Sequence, residues 1–365
     1  MLVGRNRNAF CVVRPPGHHA GVNGLLDGGE SCGFCIFNNV AAGAMYALSN
    51  EIHGPKCERV AIIDIDVHHG NGTEAIVRQC DDPARLFFFS VHLYDNEKKK
   101  SNPFKFYPGT GDEDDVAHNV INVPIAPMWK DKTSKPKASP TNSVIDRQHN
   151  TRHKSRLNVV GKSINNDTKN GSENDLSPSV SSHDFETQSI SELSEAQSKH
   201  TSPSYIYGFG REAYRKAIQQ RLLPALRAFN PDLILISTGL DAAKDDVGNA
   251  RHFRNGKQFQ GINLTPADYA WTTSKVSFLF LFSSNNPNRK TNSPFQIVEV
   301  ADICCQGRIV SLLEGGYGKS PANLNSDNVA TLDKSTFSQC ALYHLRALID
   351  PCDVEKRYPD SQPIN

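Results

Sequence analysis

Two motifs near the amino terminus carry side chains well suited to chemistry. His18 and His19 are adjacent, and the run Asp64-Ile-Asp66-Val-His68 closes an apolar stretch. Asp66 and His68 are two residues apart, so on an extended backbone they point the same way, and Asp64 has the same parity. A carboxylate oxygen and an imidazole nitrogen are both zinc ligands, while a further carboxylate can orient a catalytic histidine. The pattern predicts a metal site beside a histidine pair, in which one ring takes a proton from water and the other carries compensating charge.

Two later motifs extend this set. Asp241, in the run Ser-Thr-Gly-Leu-Asp, could supply a third ligand and leave open positions for water and substrate. Tyr317, in Leu-Glu-Gly-Gly-Tyr-Gly, could hydrogen-bond a developing oxyanion. Taken singly, Asp241 reads better as a helix N-cap and Tyr317 as a turn residue. The argument for a site is that all four clusters follow apolar runs.

The apolar runs themselves predict the elements that position these residues. They are mostly continuous and rich in Val, Ile, Leu or Phe, as in strands that are buried on both faces of a parallel sheet. They occupy residues 10–13, 60–65, 86–91, 120–123, 233–237 and 309–313. Apolar residues at helical spacing over 38–52 and 211–229 predict helices between them. Alternation of strands and helices indicates an α/β fold, in which ligands bind at the carboxyl ends of the strands.

Two segments interrupt this pattern. Residues 127–205 are rich in Ser, Asn, Lys, Thr and Asp, which predicts a disordered insertion. Residues 276–296 interrupt a helical stripe, and their ends, Val-Ser and Phe-Gln, can be encoded by splice-site consensus sequences. Two hypotheses have equal weight for this stretch: a retained intron that is read in frame, or an ordinary variable loop.

The bulk composition argues against two classes of partner. The net charge is +1, so no global field draws the chain to nucleic acid or to an anionic membrane. The apolar stretch near residue 280 is far too short to span a bilayer. We therefore expect neither direct nucleic-acid binding nor a membrane partner.

Together these motifs resemble the histone deacetylase family, and its class II branch in particular. The matching stretches are RPPGHHA at 14–20, GFC at 33–35, IDIDVHHGNGTE at 63–74, FYPGTG at 106–111, RLLPALRAFNPDLILISTGLDAA at 221–243 and LEGGYG at 313–318. The resemblance implies a three-layer, arginase-like α/β fold with a central, mostly parallel sheet and helices on both faces. It implies one deacetylase domain over 9–126 and 206–350, with its amino-terminal part missing.

The resemblance also implies a function and a set of roles. The function is zinc-dependent hydrolysis of acetyl-lysine in histones or other proteins, with chromatin regulation and transcriptional repression in the nucleus, the cytoplasm or both. Partners would be acetylated histone tails and a corepressor complex. The implied roles are zinc binding by Asp66, His68 and Asp241; catalysis by His18, His19, Tyr317 and Asp64; a substrate channel of Gly33, Phe34, Tyr107 and Gly316; and a potassium site of Asp64, Asp66, His68 and Ser90.

Two alternatives to a protein deacetylase remain open. An acetylpolyamine deacetylase shares the fold and the metal and differs by an acidic gate at the channel mouth. An inactive, truncated scaffold would be expected to lack the tyrosine or a ligand, and the sequence retains them all. The chain departs from the usual family pattern at Tyr107, where phenylalanine is more common, and has the class II Asn71 in place of the class I aspartate.

Overall fold

The computed structural model describes residues 6–26, 28–49, 57–97, 104–131, 207–252, 258–277, 305, 307–320 and 331–357. All of these belong to one unit, formed by 1–135 and 201–365, whereas the second unit, 136–200, lies outside the described residues. The insertion expected over 127–205 is therefore described only at its first residues, 127–131. The stretch 276–296 is described only at Val276 and Ser277, which end a helix.

Six strands form one parallel sheet, and each of them overlaps one of the apolar runs of the sequence, the first by only two residues. They are β1 (Asn8–Cys11), β2 (Val60–Asp64), β3 (Leu86–Leu93), β6 (Val120–Ile125), β7 (Leu233–Thr238) and β10 (Ile309–Leu313). Their order across the sheet is β1-β10-β7-β2-β3-β6, with every neighbouring pair parallel. Two antiparallel ribbons stand apart from it, β4 (Asn96–Glu97) with β5 (Phe104–Lys105), and β8 (Ala250–His252) with β9 (Gln258–Gln260).

Alternate residues of the central strands pack into two different hydrophobic clusters. In β2, Ala61 and Ile63 join one cluster, while Val60 and Ile62 join the other. Because successive side chains point to opposite faces, both faces of the sheet are covered. This double burial explains why the strands read as continuous apolar runs and not as an alternating pattern. The prediction of an α/β fold with helices on both faces is confirmed.

Seven α-helices flank the strands in the described part of the chain. They are α1 (Asn39–Leu48), α2 (Asn71–Val77), α3 (Gly210–Ala217), α4 (Leu223–Phe229), α5 (Pro266–Ser277), α6 (Ser335–Ile349) and α7 (Pro351–Arg357). None of the described helices is long and apolar enough to cross a membrane.

The helix expected over 211–229 is present, with an irregularity. A π-helical turn, Ile218–Leu222, separates α3 from α4. Pro224 occupies the first turn of α4. Proline has no backbone N–H and its ring crowds the preceding turn, so regular i→i−4 bonding cannot continue through this position. A wider turn just before proline is one way to relieve that conflict.

A buried histidine links the helices to the sheet. His344, on α6, is fully buried; its Nδ1 lies 2.6 Å from the Thr273 hydroxyl and its Nε2 lies 2.7 Å from the Ser311 hydroxyl. Burial lowers the pKa of His344 to about 3. The ring is therefore neutral at physiological pH, and each of its nitrogens forms a hydrogen bond with a hydroxyl group.

We expect this histidine to make folding sensitive to mild acid. Because its folded pKa lies below the ordinary value of about 6.5, its stabilisation is complete above pH 6.5 and is lost as the pH falls toward 3. Between pH 7 and pH 5 the loss is about 2 kcal/mol. His344→Gln removes this titration, so only the parent loses this stability. The difference in unfolding free energy between parent and variant should therefore be about 2 kcal/mol smaller at pH 5 than at pH 7. Denaturant unfolding at both pH values measures it, with His118→Gln, at a partly exposed ring, as the control. A difference that does not change with pH would contradict the prediction.

Candidate metal centre and active site

The order of the strands brings the sequence motifs to one edge of the sheet. The strands β1, β10, β7 and β2 are consecutive neighbours, and all point the same way. The His18–His19 pair follows β1, Tyr317 follows β10, Asp241 follows β7, and the Asp66–His68 motif follows β2. Side chains that are distant in sequence therefore meet at the carboxyl edge, where α/β folds place their ligands.

Three of these side chains form a cluster that could hold a metal ion. One ligand atom from each of Asp66, His68 and Asp241 lies within 4.8 Å of the others. Nδ1 of His68 is 3.0 Å from Asp66 Oδ1 and 3.2 Å from Asp241 Oδ2. Ligands bound tetrahedrally to zinc, with bonds of about 2.1 Å, are separated by about 3.4 Å. The spacing of this set is thus close to what a bound cation requires.

The electrostatics of the cluster also favour a cation. Both carboxylates are buried, and Oδ2 of Asp241 accepts no well-aligned hydrogen bond from the described residues. Burial and the charge of Asp66 raise the pKa of Asp241 to about 7. Two buried carboxylates this close together are costly unless positive charge lies between them. A divalent cation supplies that charge.

Two glycines make room for these carboxylates. A Cβ atom on Gly239 would lie 2.0 Å from Oδ2 of Asp66, and one on Gly315 would lie 2.2 Å from Oδ2 of Asp241. The backbone N–H of Gly315 also donates to Oδ2 of Asp66 at 2.8 Å. The glycines of the later motifs are therefore needed for the close approach of backbone to the cluster.

His18 is held by carboxylates. Its Nδ1 is 2.9 Å from Oδ2 of Asp64, and its Nε2 is 3.9 Å from Oδ2 of Asp66. Burial by itself lowers the pKa of His18, but the charges of Asp64 and Asp66 outweigh it and hold the pKa well above its usual value. His18 is thus a charged ring paired with Asp64.

His19 has the opposite character. Burial lowers the pKa of His19 well below its usual value, and the neighbouring charges of His18 and His68 lower it further. Its Nδ1 lies 2.8 Å from the carbonyl oxygen Oδ1 of Asn71, which can only accept. The proton therefore sits on Nδ1 and the lone pair on Nε2. The site holds one charged and one neutral imidazole, with ring centroids 3.9 Å apart.

Tyr317 lies beside the metal-ligand Asp241. A Cβ atom on Gly248 would lie 2.8 Å from Cβ of Asp241 and 2.9 Å from the Tyr317 ring, so both side chains pack on the same glycine. Burial, together with the charges of Asp241 and Asp66, raises the pKa of the Tyr317 hydroxyl. The hydroxyl therefore stays protonated at neutral pH and can act as a donor.

Comparison with known proteins agrees with this arrangement. The model of the histone deacetylase domain matches residues 1–138 and 185–288. The chain belongs to the histone deacetylase family.

Relatives and a solved structure extend the likeness. Type-2 histone deacetylase 2 of Dictyostelium discoideum is 27% identical over 95% of this chain, and histone deacetylase HDA1 of Candida albicans is 26% identical over 87% of it. The chain also resembles the crystal structure of the HDA15 HD domain, with 23% sequence identity and a TM-score of 0.50. The match covers 96% of this chain and 61% of the other, and it supports the histone deacetylase fold. The chain spans 13% and 23% of the lengths of the two named relatives.

The residues expected to line the histone deacetylase channel are only partly assembled around His19 and Tyr317. The Tyr107 ring lies edge-on to His19 with centroids 4.8 Å apart, and Phe34 lies 6.1 Å from the Tyr317 ring and is 75% exposed. A Cβ atom on Gly33 would lie 2.4 Å from His19 and 2.9 Å from Tyr107. Gly316 differs, because a Cβ atom there would meet Phe337 and Leu240.

The hydroxyl that distinguishes Tyr107 from phenylalanine has a partner. It donates to the carbonyl oxygen of Ser31 at 2.7 Å. This bond connects the Tyr107 side chain to the segment that carries Gly33 and Phe34. A net contribution of about 0.5–1.5 kcal/mol is typical of such a bond.

The set expected to hold potassium shares Asp66 and His68 with the metal cluster and adds Asp64 and Ser90. Ser90, on β3, is the register partner of Asp64, on β2. The Ser90 hydroxyl lies 2.9 Å from Nδ1 of His92, whose Nε2 donates to the Gly111 carbonyl at 2.9 Å. Nδ1 of His92 therefore accepts, which leaves the lone pairs of the Ser90 oxygen available to a cation.

Glu314 is a functional candidate that the sequence analysis did not single out. Its buried carboxylate accepts from the backbone N–H of Gly17 at 2.6 Å, from that of His18 at 3.2 Å and from the Ser237 hydroxyl at 3.0 Å. Burial raises the pKa of Glu314. It fixes the loop that carries the histidine pair. An acidic residue directly after a buried strand was the available signal.

Proposed function

We propose that this chain is a zinc-dependent protein lysine deacetylase, which hydrolyses acetylated lysine side chains and releases acetate. One observation carries the proposal: the ligand atoms of Asp66, His68 and Asp241 converge within 4.8 Å at the sheet edge where His19 and Tyr317 also lie. An amide hydrolysis site needs a metal, a proton acceptor and a donor to the oxyanion, and a different residue or residue set can serve each of these roles.

The metal would be held by Asp66, His68 and Asp241. Two oxygens and one nitrogen are a suitable donor set for a catalytic zinc, since three protein ligands leave a position open. When bound, zinc supplies a Lewis acid and lowers the pKa of water toward ~7. The buried Oδ2 of Asp241, which accepts no well-aligned hydrogen bond from the described residues, supports a cation at this point.

The histidines would divide the proton chemistry. His19 is neutral with its lone pair on Nε2, so it can accept a proton from water and later give it to the leaving amine. His18 stays charged against Asp64 and stabilises negative charge as it develops. The charged His18 ring also keeps the proton affinity of His19 low, which favours its return of the proton.

Tyr317 and the aromatic walls would place the substrate. The protonated Tyr317 hydroxyl donates to the amide oxygen as that oxygen gains charge. The apolar stem of the lysine would pass between Phe34 and Tyr107, with Gly33 leaving space beside His19. The potassium site at Asp64, Asp66, His68 and Ser90 is part of the same proposal.

The substrate and setting follow from the family. The two relatives named above are histone deacetylases, so acetylated histone tails are the first substrates to test. A corepressor complex, chromatin regulation and a nuclear or cytoplasmic location belong to the proposal on the same ground.

The test is acetate release from an acetylated histone-tail peptide by the purified 365-residue chain. We expect one zinc per chain by elemental analysis, turnover that a zinc chelator abolishes, and recovery when zinc is added back. An N-acetylated polyamine in parallel measures preference for the alternative substrate.

Several results would contradict the proposal. Turnover that persists after zinc has been removed would refute the metal role. Faster hydrolysis of the polyamine would favour the polyamine deacetylase. Binding of the peptide by a zinc-loaded chain without acetate release would favour the scaffold.

A further inference from the structure

The backbone around Tyr317 has little stiffness of its own. Tyr317 stands between Gly316, with φ +127°, and Gly318, with φ +105°. Glycine populates these conformations freely and loses the most freedom on ordering. A tyrosine that must aim its hydroxyl at a reacting oxygen therefore needs a support outside its own motif.

Asp246 supports this backbone from outside the motif, through hydrogen bonds to its N–H groups. Its carboxylate is 2% exposed, and Oδ2 accepts from the backbone N–H of Tyr317 at 3.0 Å and from that of Gly318 at 2.6 Å. The other oxygen, Oδ1, accepts from the N–H of Gly248 at 2.8 Å. One buried carboxylate thus joins the loop after β7 to the loop after β10.

Two further contacts strengthen this join. The N–H of Val247 donates to the carbonyl of Gly318 at 3.0 Å. Gly248 lies against the Tyr317 ring, where a Cβ atom would come within 2.9 Å. The turn formed by residues 246–249, here called the Asp246 turn, therefore holds the backbone of Tyr317 and also supports its ring.

The Asp246 turn is itself fixed to the metal-ligand loop. Asn249 is fully buried, and its amide nitrogen donates to the carbonyls of Ala242 and Ala243, directly after Asp241. Its amide oxygen accepts from the N–H groups of Gly261 and Ile262 at 2.9 and 2.7 Å. Through these bonds, the position of Tyr317 is fixed relative to the segment that carries Asp241.

We infer that Asp246 is the positioning residue for Tyr317, which it holds through the backbone at a fixed distance from the metal ligands. The inference rests on the proposed function, because it assigns Asp246 a role only through the Tyr317 hydroxyl. Asparagine at this position keeps one acceptor oxygen but presents an NH₂ group where the second oxygen accepts. The one oxygen can accept either from Tyr317 and Gly318 or from Gly248, so the set of three bonds is broken while side-chain size is unchanged.

The test is a double-mutant cycle between Asp246→Asn and Tyr317→Phe on the zinc-loaded chain. We expect Asp246→Asn alone to lower kcat by about 10- to 100-fold with unchanged zinc content, since small misplacements of a catalytic group have effects of this size. In the Tyr317→Phe background the same change should lower kcat by less than about twofold, because the hydroxyl it positions is absent. An equal loss in both backgrounds would overturn the inference.

Asp245→Asn is the matched control. Asp245 is the preceding residue in the same loop, is partly exposed, and pairs with Lys319 at 3.0 Å. Its φ of +68° suits asparagine. We expect wild-type kcat from this variant.

Hydrogen exchange gives a readout that does not depend on activity. Peptides covering 246–250 or 315–320 should exchange faster in Asp246→Asn than in Asp245→Asn, because the one remaining oxygen cannot accept from the amides on both sides. Unchanged exchange overturns the inference. If the unaltered chain hydrolyses nothing, the proposed function fails, and the exchange comparison still decides whether Asp246 holds the Tyr317 loop.

Gly248→Ala keeps the inference testable if Asp246→Asn does not fold. The added methyl would meet the Tyr317 ring at 2.9 Å and Cβ of Asp241 at 2.8 Å, so zinc content is measured beside kcat. In a variant that keeps its zinc, we expect a loss of kcat that disappears in the Tyr317→Phe background. Normal kcat with the methyl in place would overturn the role of the Asp246 turn.

Discussion

Asp241→Asn is expected to abolish both zinc binding and turnover. The variant replaces one of three ligand atoms and removes the negative charge that the cation balances. Loss of the metal removes several kcal/mol of transition-state stabilisation, which is on the order of a thousandfold or more in rate. Elemental analysis after dialysis and acetate release measure the two effects.

A thermal comparison separates loss of the metal from misfolding. In a chelator, the variant should be at least as stable as the parent, because burial and the charge of Asp66 make Asp241 costly to ionise. Added zinc should raise the melting temperature of the parent and not that of the variant, since only a folded state with a binding site gains from the ligand. A variant that still binds one zinc would refute Asp241 as a ligand. Asp245→Asn, in the same loop, should behave as the parent does.

Tyr317→Phe is expected to lower turnover on acetyl-lysine peptides by about 100-fold or more. The change removes a single hydroxyl, whose raised pKa keeps it a donor at neutral pH. Loss of one donor to a developing oxyanion costs about 2.7–4 kcal/mol of barrier. Steady-state kinetics should place the loss in kcat with KM little altered, because the bond strengthens only as charge develops.

Zinc content and a second tyrosine provide the controls. Tyr317 is not a ligand, so the variant should retain its zinc. Tyr94→Phe removes a hydroxyl that bonds Asp112 and should leave kcat unchanged. An unchanged rate in Tyr317→Phe would end the assignment of this residue, whereas loss of zinc would show that the ring supports the metal site.

The sheet was predictable because its inner strands are buried on both faces. The apolar runs at 60–65 and 233–237 became β2 and β7, whose alternate residues enter opposite hydrophobic clusters. The location of the site residues was predictable for a related reason. A polar residue directly after such a run lies beyond the apolar part of the strand, at its carboxyl end. The π-helical turn before Pro224 was not predicted, because helical spacing alone does not report which backbone bonds a proline removes.

The residues that support the site were much harder to find. Glu314 and Asp246 bind backbone N–H groups of loops that lie far away in the chain. A backbone N–H has no side-chain identity, so the sequence does not show which residue binds it, although the position of Glu314 directly after β10 was a signal. Asn71 is similar, because its pairing with His19 is set by the turn into α2 and not by spacing.

The sequence by itself determined the fold class, the family motifs and the side chains that could bind a metal or move a proton, because residue type and periodicity carry that information locally. Only the tertiary structure decided the order β1-β10-β7-β2, which makes neighbours of four motifs spread from residue 18 to residue 317. It also decided that His18 is charged and His19 neutral, because burial and the nearest carboxylates set those states. It alone placed Asp246 behind Tyr317, since that contact joins two loops through backbone bonds that no residue pattern encodes.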